Sequence, residues 1–193
     1  MKNTIILAIK ESIEIKNKIL SNDNLIKEIE KVSEAIIKVI KDGAKVLVCG
    51  NGGSAGDAQH IAGEFINKFY YDRPAMGCIA LTTDTSVITA IGNDSTFEDI
   101  FAKQVKANGR KGDIFWGIST SGNSKNIIKA IIECKNIGIP CIAFVGGNEN
   151  KMAELCDYVI RIPNNCTPRI QEAQMLIAHI ICQVVEMNVY PKE

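Results

Sequence analysis

The chain contains two histidines, and each stands at helical spacing from a side chain that could share chemistry with it. His60 lies four residues before Glu64 in a segment predicted to be helical, so the two side chains are one turn apart on the same face. His179 lies eight residues after Gln171 on the last predicted helix, about two turns away on the same side.

These four side chains suggest two kinds of chemistry. An imidazole and a carboxylate suffice for acid–base catalysis. Two imidazoles, a carboxylate and an amide can also bind one divalent ion, for which zinc is the natural candidate. The same spacings occur in ordinary helices, where His60 would be an exposed residue and His179 a buried polar group with its hydrogen bonds satisfied.

The segment STSGNS follows a predicted strand and begins a predicted helix. Ser119, Thr120, Ser121 and Ser124 supply four hydroxyl groups, and Gly122 allows the backbone to approach a ligand. Free N–H groups and the positive dipole of the helix N-terminus favour a phosphate at such a place. The segment lacks the lysine of a Walker A loop. A serine-rich loop that merely caps its helix is the alternative interpretation.

A glycine-rich turn, Gly50-Asn51-Gly52-Gly53-Ser54, ends another strand and begins the helix that carries His60 and Glu64. So many glycines indicate that something lies close to the backbone. Gly50, Gly52 and Ala55 also fit the GxGxxA form of the dinucleotide fingerprint. The acidic residue that should hold the ribose is the weak point of this match, because Asp84, at the end of the next strand, lies well beyond the expected spacing of about 20 residues. A dinucleotide site is therefore the weaker interpretation.

Three further features are open to two interpretations. The pair Asn93-Asp94 offers polar groups beside the second strand, or simply ends a helix. Lys68 and Arg73 could neutralise an anion, but solvated surface charge is the favoured interpretation for both.

The elements that position these residues follow from apolar periodicity. Two amphipathic helices are predicted at 4–20 and 24–41. Strands are then predicted at 45–49, 78–82, 113–118, 140–145 and 157–162. Helices between and after them are predicted at 54–69, 85–92, 97–108, 123–137, 150–155 and 168–188.

This alternation predicts an α/β fold with three layers, in which a five-stranded parallel sheet is flanked by helices. In such sheets ligands lie beyond the carboxyl ends of the strands, where the GNGGS and STSGNS turns fall. We expect one domain over residues 1–193, with a leading helical segment at 1–43 and an α/β core at 44–193.

Composition limits the function. Lys plus Arg and Asp plus Glu both number 22, so the formal net charge is zero, which argues against a nucleic-acid partner. No apolar run approaches the roughly 20 residues of a membrane span. Seven cysteines without a CxxC pair favour reduced thiols. We therefore expect a cytoplasmic protein without a membrane partner.

Four segments resemble the phosphoheptose isomerases, the sedoheptulose-7-phosphate isomerases of the sugar-isomerase (SIS) domain superfamily. These segments are CGNGGSAGDAQHIAGEF, AIGNDSTFEDIFAKQV, GISTSGNSKNIIKAI and TPRIQEAQMLIAH, and with the leading helices they span nearly the whole chain. The resemblance implies a SIS fold of flavodoxin- or Rossmann-like architecture and a homotetramer with active sites between subunits. The implied reaction converts sedoheptulose 7-phosphate to D-glycero-D-manno-heptose 7-phosphate, which feeds nucleotide-activated heptose for lipopolysaccharide core, capsule or other surface glycans.

The resemblance also implies roles for individual residues. The family's phosphate contacts fall on Ser119, Thr120, Ser121 and Ser124. Its sugar contacts fall on Asn51, Gly52, Gly53, Asn93 and Asp94, with Ser54, Glu64 and Gln171 also at the substrate. The zinc ligands of some members fall on His60, Glu64, Gln171 and His179. Glu64 and His179 match the acid–base pair, and the division of roles between them stays open.

The chain departs from the family pattern in places. Pro168 stands where some members have an aspartate, Gln174 where many have a histidine, and Lys68 where some have an arginine. These differences concern secondary substrate contacts.

Two alternative functions remain at this point. The DnaA-initiator-associating protein resembles these isomerases in fold but acts as a non-enzymatic adaptor, and it lacks the glutamate and histidine that match Glu64 and His179. Another phosphosugar isomerase of the same fold is the second alternative.

Overall fold

A computed structural model describes residues 1–192 of the chain. Its centre is a parallel sheet of five strands in the order β2-β1-β3-β4-β5. The strands are β1 (Val46–Gly50), β2 (Cys78–Ala80), β3 (Ile114–Ser119), β4 (Cys141–Val145) and β5 (Tyr158–Arg161). The helices are α1 (Lys2–Leu20), α2 (Asp23–Lys41), α3 (Gly53–Ile66), α4 (Thr85–Asp94), α5 (Ile100–Asn108), α6 (Lys125–Ile137), α7 (Lys151–Leu155) and α8 (Thr167–Val189). The predicted α/β fold is confirmed.

The sheet has a hydrophobic core on each face because successive side chains of a strand point in opposite directions. Val46 and Val48 of β1 pack on the face covered by α2, α3 and α8. Leu47 and Cys49 pack on the face covered by α5 and α6. Since both faces are covered, the strands are apolar throughout, which is why they read as continuous runs rather than alternating ones.

The two leading helices are present as predicted, but they differ in how much of their apolar surface is covered. Helix α2 begins after Asn22, whose side chain accepts a hydrogen bond from the Leu25 amide at 3.1 Å. It buries an apolar stripe that packs on α8 and β5. Helix α1 buries Ile15 and Ile19, whereas Ile5 and Ile9 nearer its N-terminus stay exposed.

Several predicted boundaries are wrong by two or three residues. Helix α3 ends at Ile66 instead of residue 69, because the following segment turns away to hydrogen-bond with α8. Strand β2 has three residues instead of five, as its pairing with β1 stops at Ala80. The segment 97–99 is a 3₁₀ turn that precedes α5 instead of its first turn.

The order of the strands creates a crevice between β1 and β3. The chain leaves β1 towards β2 on one side and returns to β3 on the other side of β1. Ligands of open α/β sheets bind where the strand order reverses in this way. The GNGGS turn ends β1 and the STSGNS turn ends β3, so both lie at this crevice.

Two findings bear on the class of protein. None of the helices within residues 1–192 has both the length and the apolar character needed to cross a membrane. Five of the seven cysteines are buried, and burial raises the pKa of the Cys78 thiol to about 12, which keeps it protonated at neutral pH.

Candidate active site

The turns after β1 and β3 are joined by a reciprocal pair of amide hydrogen bonds. Asn51 Nδ2 donates to Asn126 Oδ1 at 2.9 Å, and Asn126 Nδ2 donates to Asn51 Oδ1 at 2.8 Å. Asn126 lies in the first turn of α6 and is buried. The pair therefore fixes the GNGGS turn against the helix that follows STSGNS.

Three serine hydroxyls of the STSGNS turn form a cluster. Ser119 Oγ lies 3.0 Å from Ser124 Oγ and 3.3 Å from Ser121 Oγ, and it accepts a hydrogen bond from the Gly122 amide at 3.1 Å. Ser124 precedes α6 but its side chain makes no capping hydrogen bond. Its hydroxyl is therefore directed towards the other serines, at the positive end of a 13-residue helix.

The glycines of the GNGGS turn make room for other parts of the protein. A Cβ atom on Gly50 would lie 2.4 Å from the Ser54 carbonyl oxygen, and one on Gly53 would lie 2.5 Å from Gln171 Nε2. Gln171 is on α8, so Gly53 is the point where the first turn of α3 meets the first turns of α8. The close neighbours indicated by the glycines are thus Ser54 and Gln171.

A cavity of about 270 Å³ lies between these turns. Its lining is formed by Asn51, Gly53, Ser54, Ile118, Ser119, Thr120, Ser121, Ser124, Thr167 and Gln171. Every side chain among these described residues is neutral, and most carry a hydroxyl or an amide. A smaller cavity of about 200 Å³ shares Thr120, Ser121 and Thr167 with it.

Two turns further along α3 and α8 lies a cluster of ionisable side chains. His60 Nε2 is 3.0 Å from Glu64 Oε1 and 3.3 Å from His179 Nε2. The two imidazole rings have centroids 4.9 Å apart and meet edge to face. Glu64 is half-buried and His60 is exposed, so the cluster opens to the surface of the chain.

The two sites are related by helix geometry. Gly53 and His60 are seven residues apart on α3, and Gln171 and His179 are eight apart on α8. At 1.5 Å per residue, the cluster lies roughly 10 to 12 Å along the helices from the cavity. Gly53 lies against Gln171 and His60 contacts His179, so α3 and α8 stay packed side by side over this distance.

Asp57 lies one turn before His60 on α3. Burial raises the pKa of its carboxyl group, and the nearby His60 imidazole lowers it by a smaller amount. Its Oδ2 atom is buried without a hydrogen-bond partner among the described residues.

The cluster is a candidate metal centre. One ligand atom each from His60, Glu64 and His179 can be chosen so that all lie within 4.8 Å of one another. Two imidazole nitrogens and a carboxylate oxygen suit zinc, whose bonds to such ligands are about 2.0–2.2 Å long.

The remaining predicted site residues are placed as follows. Gln171 lines the cavity, and its assignment as a metal ligand stays a prediction. Asn93 and Asp94 are the exposed last residues of α4, where Asn93 Nδ2 donates to Asp94 Oδ1 at 2.7 Å, and neither lines the cavity. Gly52 precedes α3 and is exposed.

Sequence reasoning misjudged one residue and missed others. The interpretation of Arg73 as solvated surface charge is wrong, since its side chain is 2% exposed and pairs with Glu186, whereas Lys68 is exposed as predicted. Asn126 and Thr167 were missed. Both could have been predicted from the sequence, because each lies in the first turn of a helix that follows a strand, where ligands of parallel sheets bind.

The neutral, hydroxyl-lined cavity lies at the switch point of a parallel α/β sheet, about two helical turns from the ionisable cluster. The SIS domain family model matches residues 9–146, which is most of the chain. The chain therefore belongs to the SIS domain family.

Comparison with known proteins shows which group of the SIS domain family this chain resembles. The chain is 57% identical to phosphoheptose isomerase 2 of Campylobacter jejuni over 94% of its own length and 90% of the relative's. It is 53% identical to a phosphoheptose isomerase of Aneurinibacillus thermoaerophilus over 94% and 92% of the two lengths. The solved structure of a phosphoheptose isomerase from Francisella tularensis superposes with a TM-score of 0.92 at 36% identity, over 96% and 97% of the chains. Within the SIS domain family, the chain belongs to the phosphoheptose isomerases.

Proposed function

We propose that this protein converts sedoheptulose 7-phosphate to D-glycero-D-manno-heptose 7-phosphate. The observation that carries the proposal is the placement of a hydroxyl-lined cavity two helical turns from the Glu64–His179 cluster. An extended seven-carbon chain can reach from one to the other, with its phosphate in the cavity and its carbonyl at the cluster. The phosphoheptose isomerase relatives support the same substrate.

The phosphate would be held by neutral groups. The hydroxyls of Ser119, Ser121 and Ser124 lie together at the N-terminus of α6, where the helix dipole favours an anion. Thr120 adds a fourth hydroxyl to the same cavity. Fixing the phosphate places the reactive end of the sugar and lowers the entropic cost of the reaction.

The reaction then needs one proton moved between two carbons. We assign to Glu64 the removal of a proton from C1 of the ketose and its return to C2. His179 donates a proton to the C2 oxygen and, after a cis-enediol has formed, accepts the proton of the C1 hydroxyl. The C2 carbonyl is thereby reduced and C1 is oxidised to the aldehyde, with no external oxidant. One ligand atom of Glu64 and one of His179 lie within 4.8 Å of each other, so both side chains can act on the same end of a bound sugar.

We also propose that zinc binds at His60, Glu64 and His179, with Gln171 as a further ligand. The nitrogen and oxygen donors support this choice. Zinc supplies Lewis-acid polarisation of a substrate carbonyl when bound. His60 would then hold the ion, while Glu64 and His179 would act either as its ligands or as the acid–base pair.

We infer a homotetramer in which neighbouring subunits complete each active site. Ile5, Ile9 and Ile13 of α1 are all more than half exposed, and α4 buries none of its residues. Apolar surface of this kind marks an interface between chains. Asn93 and Asp94 lie on α4 outside the cavity of their own chain, so they are proposed to serve a neighbouring one.

The compartment and pathway follow as part of the proposal. Seven free cysteines suit the reducing cytoplasm. The heptose 7-phosphate product would enter the synthesis of nucleotide-activated heptose for surface glycans.

The substrate is tested by incubating the purified protein with sedoheptulose 7-phosphate and following the sugars by NMR. We expect D-glycero-D-manno-heptose 7-phosphate to appear, and much slower turnover of five- and six-carbon ketose phosphates. Absence of the heptose product would overturn the proposal, and preferred turnover of a shorter sugar would reassign the substrate.

A further inference from the structure

Arg73, in the segment between α3 and β2, uses all three nitrogens of its guanidinium group. Nε donates to Glu186 Oε1 at 3.1 Å, Nη1 donates to the Phe65 carbonyl at 2.6 Å, and Nη2 donates to the Glu64 carbonyl at 2.8 Å. Glu64 and Phe65 belong to the last turn of α3, where carbonyls have no partner within the helix. The cation also faces the negative end of the helix dipole. Arg73 thus holds the backbone of the catalytic candidate Glu64.

Glu186, on α8, is fully buried and is the other half of this arrangement. Besides Arg73, it accepts the amide of Phe69 at Oε1 and the amide of Tyr70 at Oε2, both at 2.7 Å. Burial is the largest single influence on its pKa and favours the neutral acid. The hydrogen bonds from Phe69, Tyr70 and Arg73 together outweigh burial and lower the pKa, so the buried carboxylate is charged at neutral pH.

The ion pair between Arg73 and Glu186 connects α3 and α8, the two helices that carry the His60–Glu64–His179 cluster. Glu186 follows His179 by seven residues on α8, about two turns along the same face. The segment that Glu186 holds also brings the Phe69 ring to 5.7 Å from the His179 ring. A continuous path therefore runs from His179 along α8 to Glu186, across to Arg73, and on to the backbone of Glu64.

We propose that Arg73 and Glu186 are positioning residues for the isomerisation, which fix the separation of Glu64 and His179. The proposal rests on the proposed function for its catalytic part. Proton transfer requires donor and acceptor within hydrogen-bond reach of the substrate, and a displacement of about 1 Å reduces rates by about 100-fold. The phosphate cavity does not include either residue, so substrate affinity is expected to change little.

A purely structural role is the competing explanation, and the chain offers a matched control. Asp113 is also buried and accepts Lys45 N at 3.1 Å, Lys45 Nζ at 2.7 Å and the Arg110 amide at 2.8 Å. It lies just before β3, at the amino end of the sheet and away from the cavity. Asp113→Asn therefore removes a comparable buried charge without touching the path between Glu64 and His179.

The experiment compares Glu186→Gln, Arg73→Lys, Arg73→Gln and Asp113→Asn by steady-state kinetics with sedoheptulose 7-phosphate. We expect kcat to fall about 100-fold in Glu186→Gln with little change in KM, and Arg73→Lys to retain more activity than Arg73→Gln because it keeps the charge. Asp113→Asn should keep kcat near the wild-type value. An equal loss of kcat in Asp113→Asn would overturn the positioning role.

A second readout does not depend on activity. His60 and His179 are the only histidines in the sequence, so no other histidine contributes to the spectrum. Their side-chain ¹⁵N NMR signals therefore report on the cluster directly. Both signals should shift in Glu186→Gln and stay in place in Asp113→Asn. Unchanged signals and unchanged kcat would refute positioning, with Arg73→Lys deciding the matter if Glu186→Gln fails to fold. An inactive wild type would refute the proposed function, whereas the histidine signals would still decide whether the pair positions the cluster.

Discussion

The Nε2 atoms of His60 and His179 lie 3.3 Å apart, although the residues are separated by 119 positions in sequence. The contact exists because α3 and α8 begin at the same edge of the sheet and stay in contact for at least two turns. It turns two separate histidines into one cluster with Glu64. The site is thus made by the packing of two helices and not by either sequence motif alone.

The cluster should bind zinc. We expect about one zinc per chain in protein purified without added metal, measured by elemental analysis, and large losses of bound metal in His60→Ala and His179→Gln, since each removes one of the ligands. Cys166→Ser is the control, because Cys166 is exposed and stands outside the cluster. Wild-type zinc content in both histidine variants would contradict the assignment.

The serine cluster should determine substrate affinity. Ser119→Ala is expected to raise the KM for sedoheptulose 7-phosphate by about 10-fold or more, because a hydrogen bond to a charged group contributes about 1.5–3 kcal/mol. Ser33→Ala is a matched control, as the buried Ser33 hydroxyl bonds to the Ile29 carbonyl in α2, away from the cavity. A KM that is the same in Ser119→Ala and wild type would show that the phosphate binds elsewhere.

Two glycines of α3 allow a direct test of the contact with Gln171. Gly53→Ala places a methyl group 2.5 Å from Gln171 Nε2 and should displace that side chain and lower activity. Gly56→Ala meets no atom within 4 Å and should stabilise the helix by up to about 1 kcal/mol with normal turnover. Kinetics and thermal unfolding of the two variants separate the effects. Equal activity in both would mean that Gln171 has no role near the substrate.

The buried Glu186 carboxylate predicts a dependence of stability on pH. Its pKa is lowered in the folded protein from an ordinary 4.5, so its stabilising contribution is present above that value and disappears as pH falls through the folded pKa. Glu186→Gln should lower the free energy of unfolding by about 3–5 kcal/mol at pH 7, and by less in acid. Urea unfolding of both proteins between pH 7 and pH 3 measures this difference. A difference that does not shrink in acid would contradict the lowered pKa.

The sequence predicted much of this protein because the relevant signals are local. Apolar runs and helical periodicity located the strands and most helices, and the STSGNS turn carries its phosphate-type chemistry within six residues. The pairing of His60 with Glu64 is one helical turn and was equally accessible.

Long-range polar pairs were not accessible in the same way. Arg73 and Glu186 are 113 residues apart, and Asn51 and Asn126 are 75 apart. A single charged or amide residue has no periodicity that marks its partner, and Arg73 looked like ordinary surface charge. The end of α3 was misplaced for the same reason, since the pair with Glu186 turns the chain away after Ile66.

Whether the Glu64–His179 cluster catalyses the reaction is tested most directly by comparing wild type with Glu64→Gln in one NMR assay of sedoheptulose 7-phosphate. The substitution keeps the shape of the side chain but removes its ability to accept a carbon-bound proton at neutral pH. We expect the wild type to form D-glycero-D-manno-heptose 7-phosphate and Glu64→Gln to be slower by about 100- to 10,000-fold, the usual contribution of a general base. Turnover by Glu64→Gln at the wild-type rate would contradict the assignment of the reaction to this cluster.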